Sequence, residues 1–295
     1  MSITADKELF VSGHRACPGC GEAIATRLIL KATGSNVIVV SPTGCLETFT
    51  SPYMYSPWNV PWIHPLFENA AAVASGVEAA LKYKNQTDVK VVVIGGDGST
   101  FDIGLGALSG MFERRHPITY ICYDNEAYMN TGNQRCSSTP WAASTTTKPA
   151  GRISYGKDRS KKNMPAIALA HDLDYVATAS VSYPVDLQNK VQKAQTIKGP
   201  SYIQVHVPCT GGWGFPSEKT VEIGRLAVNS GLVPILEYEK GILVNVYKIT
   251  IKVPVEKYLK PQKRFNHLFL KDKGQQQILS IQEIADQNIE KYGLM

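Results

Sequence analysis

The chain has 295 residues, of which 43% are hydrophobic and 19% are charged, and its formal net charge is +6. These values are typical of a globular protein with a substantial core and exclude a disordered or fibrous chain. The sequence shows no apolar run of about 18 residues that would predict a membrane span. It also lacks the basic run or aromatic motif of a nucleic-acid-binding protein and the N-terminal pattern of a signal peptide, so we expect a cytoplasmic protein that binds neither membrane nor nucleic acid.

Two cysteines near the N-terminus, in the run Cys17-Pro18-Gly19-Cys20, have the spacing that lets both thiols reach one metal ion or cluster. A thioredoxin-like dithiol would need a βαβ pattern before this motif, and none precedes it. A structural zinc site usually supplies a second Cys-x-x-Cys or a pair of histidines, which are also missing. Further ligands would therefore come from single cysteines elsewhere in the chain.

The next part of the sequence alternates predicted helices and strands. A helix is predicted over residues 22–31 and a buried strand over 36–40, which ends shortly before Cys45. The following loop, 46–65, is rich in aromatic residues and proline, so it is suited either to shielding a cofactor from water or to packing against a partner subunit. A second helix is predicted over 66–83.

The central stretch predicts a βαβ unit. Apolar runs at 91–94 and 118–123 flank a segment of helical length, 100–115. Such crossovers join parallel strands, so the turns Gly95–Ser99 and Asp124–Ala127 both follow the carboxyl ends of neighbouring strands. Open α/β sheets bind their ligands at this edge.

The glycine-rich turn favours a phosphate site, because bare backbone amides attract anions. Asp97 would repel a phosphate unless a divalent cation lay between them, and Mg²⁺ prefers such hard oxygen ligands. The Asn125 side chain and the Ala127 carbonyl can complete the metal site, although an ordinary glycine-rich turn followed by an Asn turn remains an alternative. A dinucleotide fingerprint fits worse, because Phe101 occupies the position of its third glycine. The predicted cofactor-binding residues of these turns are Gly96, Asp97, Gly98, Ser99, Asn125 and Ala127.

The polar stretch 134–164 predicts a long surface loop. Its basic run, 157–162, has the charge to contact the phosphates of coenzyme A (CoA), but a solvated charge run is the favoured interpretation.

Beyond this loop the βα alternation resumes. It predicts a doubly wound, mostly parallel α/β sheet with helices on both faces. We assign residues 1–235 to this domain and 236–295, where the pattern weakens, to a C-terminal extension that contacts another subunit. The predicted elements are helices at 165–171, 184–197, 218–229 and 280–292, and strands at 175–179, 201–207 and 243–253.

The remaining cysteines can be sorted by their positions. Cys209 follows a predicted strand as Cys45 does, so both are expected at the sheet edge that carries Asp97. Cys122 lies within an apolar strand and is interpreted as a buried small hydrophobic residue, and Cys136, in the polar loop, is not expected to be a ligand. The other four suit a [4Fe–4S] cluster, with zinc still open from the pattern alone. They are Cys17, Cys20, Cys45 and Cys209.

Asp97-Gly98 followed by Asn125 resembles the diphosphate-binding motif of thiamine diphosphate (TPP) enzymes. The stretch Asp124–Gly132 resembles more specifically the 2-oxoacid:ferredoxin oxidoreductases, and within them the β subunits of the pyruvate-oxidising type, pyruvate:ferredoxin oxidoreductase or pyruvate synthase. The resemblance spans 13–233, with a weaker match at 254–268. It implies a TPP diphosphate-binding domain with Mg²⁺, and a [4Fe–4S] cluster on the four cysteines.

The resemblance also implies an activity. Asn130 matches an asparagine that reaches the reacting end of TPP, and we assign it a catalytic role beside the cofactor. The implied reaction converts pyruvate, CoA and oxidised ferredoxin to acetyl-CoA, CO₂ and reduced ferredoxin, reversibly. Related enzymes use 2-oxoisovalerate, 2-oxoglutarate or oxalate, so these acids remain alternative substrates.

The chain contains no second α/β domain that would supply the glutamate that activates the TPP aminopyrimidine. The resemblance therefore implies a complex with a pyrimidine-binding α subunit, a γ subunit and a ferredoxin-like δ subunit, with ferredoxin as electron acceptor. Three other functions remain open from the residues: a non-redox TPP enzyme with a structural metal site, a nucleotide-binding protein with structural zinc, and a non-catalytic interaction subunit.

Overall fold

The computed structural model describes residues 8–270 and 273–295, and within them one sheet of eight strands forms the centre of the molecule. The strands are β1 Val37–Val40, β2 Trp62–Ile63, β3 Lys90–Gly96, β4 Ile118–Asp124, β5 Tyr175–Ser180, β6 Ser201–His206, β7 Leu236–Glu239 and β8 Ile242–Val246. Their order across the sheet is β2-β1-β3-β4-β6-β5-β7-β8. Neighbours from β2 to β5 are parallel, whereas β7 and β8 add to the β5 edge in antiparallel pairing.

Helices cover both faces of the sheet, because alternate side chains of each buried strand point to opposite sides. In β3, the side chains of Val92 and Ile94 pack in the hydrophobic cluster on one face of the sheet, beneath the first and sixth helices of the chain. The side chains of Val91 and Val93 pack in the cluster on the other face, beneath the third, fourth and fifth helices. The predicted doubly wound fold is thus confirmed. The helices are α1 Gly21–Thr33, α2 Cys45–Thr50, α3 Ala70–Tyr83, α4 Leu105–Glu113, α5 Met164–Leu169, α6 Pro184–Ala194, α7 Thr210–Trp213, α8 Thr220–Asn229, α9 Val255–Leu259 and α10 Lys273–Tyr292.

Some boundaries differ from the sequence-based expectation for local physical reasons. The helix predicted from residue 100 starts with a π-helical turn, Gly98–Ile103, in which Gly104 N–H reaches back to the Ser99 carbonyl at 2.9 Å. The hydroxyl of Thr100 also donates to the Gly96 carbonyl at 2.7 Å, and such side-chain bonds compete with regular helix pairing. The loop predicted over 46–65 contains α2 and β2, so the chain here is more regular than its proline content indicated.

The prediction that the basic run 157–162 is solvated is wrong for its three lysines, whereas Arg159 is exposed as expected. Lys157 is 2% exposed, and its ammonium donates to the backbone carbonyls of Ser137 and Thr139. Lys161 forms ion pairs with two carboxylates that follow β4. The loop 134–164 is consequently packed across the carboxyl edge of the sheet by its lysines.

The C-terminal segment, 236–295, folds onto the sheet of its own chain. Its first two strands extend the sheet, and α9 and α10 pack with Trp213 and Ile223 in a further hydrophobic cluster. The predicted edge strand ends at Val246, and β7 before it was not predicted. Contact of this segment with another subunit stays a prediction.

Within 8–270 and 273–295, no helix has the length and apolar character needed to cross a membrane. Residues 1–7, from which the absence of a signal peptide was partly inferred, lie outside the described residues.

Candidate functional site

The carboxyl ends of β3 and β4 bring the two predicted metal-binding turns together. These strands are parallel neighbours with Gly96 opposite Tyr123, so Asp97 lies beside the turn Asp124–Ala127. One oxygen of Asp97 accepts from the Gly98 backbone N–H at 2.8 Å, and the other accepts from the Glu126 N–H at 2.6 Å. The sheet therefore positions a carboxylate in the turn where the sequence placed the cation.

Asp97 is 2% exposed, and burial raises its pKa well above the ordinary value, helped by the charge of Asp124. Lys161 and the two backbone N–H groups act in the opposite direction. A buried carboxylate of this kind is stabilised by an adjacent cation, which restores its charged form.

Asn125 is oriented by three partners. Its amide nitrogen donates to Glu22 at 2.7 Å, its amide oxygen accepts from Ala127 N–H at 3.3 Å, and its backbone carbonyl accepts from the Trp213 indole at 2.7 Å. Asp97 and Asn125 thus lie on two adjacent turns and supply oxygen donors, the donor type that Mg²⁺ prefers, and the residues fit that ion in chemistry.

The glycines of the first turn differ in their surroundings. A Cβ on Gly98 would lie 2.2 Å from the Tyr128 ring, so packing excludes a side chain there. A Cβ on Gly96 would meet no atom of the described residues within 4 Å. The open space at Gly96, next to Asp97, is suited to a ligand that approaches the backbone closely.

The cysteine pair of the N-terminus packs against the segment that follows Cys209. The hydroxyl of Thr210 donates to the Pro18 carbonyl at 3.1 Å, and that of Thr220 donates to the Gly19 carbonyl at 2.6 Å. A Cβ on Gly19, whose φ is +70°, would lie 2.1 Å from the Ser217 carbonyl oxygen, so the turn needs glycine at this position.

The predicted cluster cysteines influence one another. Burial raises the pKa of Cys20 to about 12 and of Cys209 to about 11, and the pKa of Cys45 is raised in the same direction. The Glu22 charge raises all three further, and smaller contributions come from the thiols themselves: Cys209 acts on Cys20 and Cys45, and Cys17 on Cys209. Cys209 is thus the thiol that interacts electrostatically with each of the other three.

Cys209 caps α7, and its sulfur accepts from the Gly212 N–H at 3.3 Å. Hydrogen bonds of this kind to sulfur tune iron–sulfur clusters, and four cysteines are the usual ligand set. The residues fit such a cluster in donor type and number. In the part of the chain that the structure describes, no three His, Cys, Asp or Glu side chains are grouped closely enough to share a single metal ion.

The other sequence-predicted residues are placed as follows. Asn130 donates from its amide to the Thr48 hydroxyl at 2.7 Å, which links the turn after β4 to the helix that begins at Cys45. Cys122 is fully buried, as predicted. Cys136 is buried too, although its loop is polar in sequence.

Glu22 is a site residue that the sequence analysis missed. It is 5% exposed, and burial raises its pKa to about 7 although the Asn125 hydrogen bond lowers it. An acid two positions beyond a cysteine pair, at the start of a helix, was the available signal. Its pattern is the same as that of an ordinary acidic residue in a first helical turn.

A network of ion pairs around the buried carboxylates Asp124 and Glu126 supports the second turn. Lys161 lies 2.6 Å from Asp124 and 2.9 Å from Glu126, and Arg264 lies 2.7 Å from the other oxygen of Glu126. Burial alone would raise the pKa of Glu126, but the two cations lower it to about 2. Both cations were missed in the sequence.

Comparisons with known proteins agree with this geometry. Residues 42–205 match the family model described as "Thiamine pyrophosphate enzyme, C-terminal TPP binding domain". The chain is 57% identical to the pyruvate synthase subunit PorB of Methanosarcina barkeri, over 100% of both chains. It is 47% identical to the ketoisovalerate oxidoreductase subunit VorB of Pyrococcus abyssi, over 90% of this chain and 88% of the relative. A solved 2-oxoglutarate:ferredoxin oxidoreductase from Magnetococcus marinus, with 2-oxoglutarate, coenzyme A and succinyl-CoA bound, matches with a TM-score of 0.60 at 25% identity, over 71% of this chain and 69% of that chain.

Proposed function

The chain belongs to the family of 2-oxoacid:ferredoxin oxidoreductase subunits that includes the PorB subunits of pyruvate synthase, and from this membership we propose that it is the TPP- and cluster-binding subunit of a pyruvate:ferredoxin oxidoreductase. The reaction consumes pyruvate and CoA and yields acetyl-CoA and CO₂. The proton of the CoA thiol is released, and an electron pair passes one electron at a time to ferredoxin. The reaction runs in either direction.

The observation that carries the proposal is the hydrogen bond from Glu126 N–H to Asp97, because it joins the two turns whose residues resemble the diphosphate-binding motif, and both turns lie within the range that matches the TPP-binding domain. Asp97, Asn125 and the Ala127 carbonyl would hold Mg²⁺, and the backbone at Gly96, Gly98 and Ser99 would receive the diphosphate. When bound, TPP supplies the nucleophilic carbon and the electron sink for decarboxylation of a 2-oxoacid.

The chain's own residues bind and orient this cofactor. The Asn125 side chain is held by Glu22 and by the Ala127 N–H, so it cannot turn away from the metal position without breaking two hydrogen bonds. Trp213 fixes the backbone carbonyl of the same residue. Asn130, linked to Thr48, lies between the diphosphate turn and the cysteine-bearing helix α2, a position suited to hydrogen bonding with the substrate or the aminopyrimidine.

Cys17, Cys20, Cys45 and Cys209 would hold one [4Fe–4S] cluster. Without iron, burial raises the pKa of these thiols and keeps them neutral. Iron binding would deprotonate them, and the bonds to iron would offset the free-energy cost of burying the thiolates. A cluster beside the diphosphate site provides the one-electron acceptor that ferredoxin reduction requires.

The proposed enzyme is completed by other subunits. We assign the activating glutamate to a pyrimidine-binding α subunit and further electron transfer to γ and ferredoxin-like δ subunits. Tyr53, Met54 and Tyr55 are large and exposed, with Tyr53 91% exposed, and this loop follows the helix that carries Cys45. We place partner contacts at this loop and on the C-terminal segment 236–295.

Pyruvate is the proposed substrate because the PorB relative shares 57% identity over the whole chain, ten percentage points above the VorB relative. A non-redox TPP enzyme would use Asp97 and Asn125 equally well. It would leave the four mutually influencing cysteines without a role, and so it is disfavoured.

The test is anaerobic purification of the native complex followed by assays of iron, sulfide, zinc and thiamine. Reduction of ferredoxin or a viologen dye is then followed with pyruvate, 2-oxoisovalerate, 2-oxoglutarate or oxalate, each with CoA. We expect pyruvate to be fastest and the isolated chain to be nearly inactive. A complex that carries TPP and iron but reduces no acceptor with any of these acids would refute the function, and preference for another acid would overturn the substrate.

A further inference from the structure

We propose that Arg264, in the C-terminal segment, is a positioning residue that fixes the turn Asp124–Ala127, which carries the proposed Mg²⁺ ligands Asn125 and Ala127, and joins it to the helix that follows Cys209. The proposal rests on the proposed function, because it assigns a role to Arg264 in binding TPP and Mg²⁺. Nothing in the local sequence pattern separates this arginine from a surface cation.

The turn that Arg264 contacts has an unusual backbone. Glu126 has a φ of +73°, in the left-handed region that residues with side chains rarely adopt. In this conformation its N–H points at Asp97, to which it donates at 2.6 Å. A backbone of this kind persists only where the surroundings hold it, so the orientation of Asp97 depends on what holds Glu126.

Two cations, the partly exposed Lys161 and the buried Arg264, hold the Glu126 carboxylate. Lys161 approaches one oxygen at 2.9 Å, and Arg264 approaches the other at 2.7 Å. Glu126 and Arg264 each have side chains that are 4% exposed, so their ion pair is shielded from water. Lys161 also forms an ion pair with Asp124, so its charge is shared between two carboxylates. Among the described contacts, Arg264 forms an ion pair with Glu126 alone.

The same guanidinium stacks on the indole of Trp213, with 3.8 Å from its central carbon to the ring centre. Trp213 ends the helix that Cys209 caps, and its indole N–H donates to the Asn125 carbonyl at 2.7 Å. Arg264 therefore contacts the turn Asp124–Ala127 directly through Glu126 and indirectly through Trp213. The guanidinium of Arg264 thus restrains Glu126 through the ion pair and Asn125 through Trp213.

Arg264 is itself oriented in advance. Its Nε donates to the Gln262 amide oxygen at 2.8 Å, and its terminal nitrogen donates to the Tyr258 hydroxyl at 3.2 Å. Both partners belong to the C-terminal segment, at the end of α9 and just beyond it. Arg264 uses both the N–H donors of its planar guanidinium and the flat face that stacks on Trp213, and a lysine side chain offers neither.

The test compares variants of the co-expressed complex. Arg264→Met retains length but removes the charge and the fork, Arg264→Lys retains the charge alone, and Lys260→Met removes an exposed cation of the same segment as a control. The dissociation constant of TPP with saturating Mg²⁺ is measured by calorimetry. The KM for TPP and kcat are measured separately, together with iron per chain and the midpoint of thermal unfolding.

We expect Arg264→Met to weaken TPP binding about ten-fold or more, which is the usual effect of losing a group that supports metal ligands. Its KM for TPP should rise more than kcat falls, iron content should be unchanged, Arg264→Lys should recover part of the affinity, and Lys260→Met should match the parent. If the parent binds TPP and Arg264→Met binds it equally well, the inference is overturned while the proposed function stands. If the parent itself binds no TPP, the proposed function fails first.

A second variant covers the case in which Arg264→Met does not assemble. Glu126→Gln keeps the shape of the side chain and the stack of Arg264 on Trp213 but removes the ion pair. We expect it to weaken TPP binding in the same way. A lower midpoint of thermal unfolding with an unchanged TPP dissociation constant would indicate a merely structural role and overturn the inference.

Discussion

The side-chain amide of Asn125 donates to the buried carboxyl group of Glu22 at 2.7 Å, and this bond links the turn Asp124–Ala127 to the helix that starts beside Cys20. The start of that helix is fixed in turn against the end of β6, because a Cβ on Gly21 would lie 2.8 Å from the Pro208 carbonyl oxygen. The cysteine region and the predicted cofactor turn are therefore parts of one packed unit.

The four cysteines provide the first prediction. Changing any one of Cys17, Cys20, Cys45 or Cys209 to serine should remove about four irons per chain, because each would supply one ligand of the proposed [4Fe–4S] cluster. Cys122→Ser is the matched control, since Cys122 is fully buried in β4 away from solvent. Iron and sulfide are measured after anaerobic purification of the complex, and unchanged iron in Cys209→Ser would rule out the assigned ligand set.

Asp97 provides the second prediction. Asp97→Ala should abolish measurable TPP binding while iron per chain is retained, because the diphosphate loses its cation bridge and the Glu126 N–H loses its acceptor. Asp88→Ala, at an exposed position just before β3, should leave TPP binding unchanged. Both are measured by calorimetry with and without Mg²⁺. Tight TPP binding by Asp97→Ala in the absence of divalent metal would contradict the site.

Part of this site could be predicted from the geometry of parallel strands, whose carboxyl ends lie at the same edge of the sheet. Two buried apolar runs joined by a helical segment require their following turns to meet at one edge of the sheet, which brought Asp97 and Asn125 together correctly. Lys161 and Arg264 could not be found in the same way. A lysine in a basic run has the same local pattern whether it is solvated or paired, and its partners Asp124 and Glu126 lie in a distant turn.

Glu22 shows the same limit for a carboxyl group. In the sequence it is one acidic residue in a first helical turn, a position where solvated acids are common. Its burial depends on the packing of Gly21 against β6 and on Asn125, which is contributed by another strand. These contacts form only when the sheet brings distant parts of the chain together, so they cannot be predicted from the local sequence around Glu22.

His206 provides a prediction about pH. Burial lowers its pKa from 6.5 to about 4, it is 2% exposed, and neither ring nitrogen has a hydrogen-bond partner among the described residues. Since the unfolded chain binds the proton at higher pH than the folded one, stability is complete above about pH 6.5 and is lost as the pH falls toward 4. The loss is on the order of 3 kcal/mol at most, since each pKa unit is worth about 1.4 kcal/mol.

The measurement is the midpoint of thermal unfolding of the complex at pH 7.5 and at pH 5, for the parent and for His206→Leu. The variant should lose less of its midpoint on acidification than the parent, because it carries no group that must be protonated on unfolding. His267→Leu is a useful comparison, because the pKa of His267 is also lowered by burial but its Nε2 lies 3.0 Å from the Tyr155 carbonyl oxygen. An equal fall in midpoint for the parent and His206→Leu would show that His206 does not titrate as proposed.

Gly96 tests whether the space beside Asp97 receives the cofactor. A Cβ at this position would meet no atom of the described residues within 4 Å, so Gly96→Ala should fold with little change in the midpoint of thermal unfolding. If the diphosphate lies against this backbone, the added methyl group occupies the space that the diphosphate needs, and TPP binding should weaken about ten-fold or more.

Gly76→Ala, in α3, is the matched control. Its Cβ also meets open space, and alanine in a helix interior should stabilise the fold slightly without altering TPP binding. Gly98→Ala, whose Cβ would lie 2.2 Å from the Tyr128 ring, should instead lower the midpoint of unfolding. The three variants separate loss of fold from loss of binding, and parent-like TPP affinity in a folded Gly96→Ala complex would place the diphosphate elsewhere.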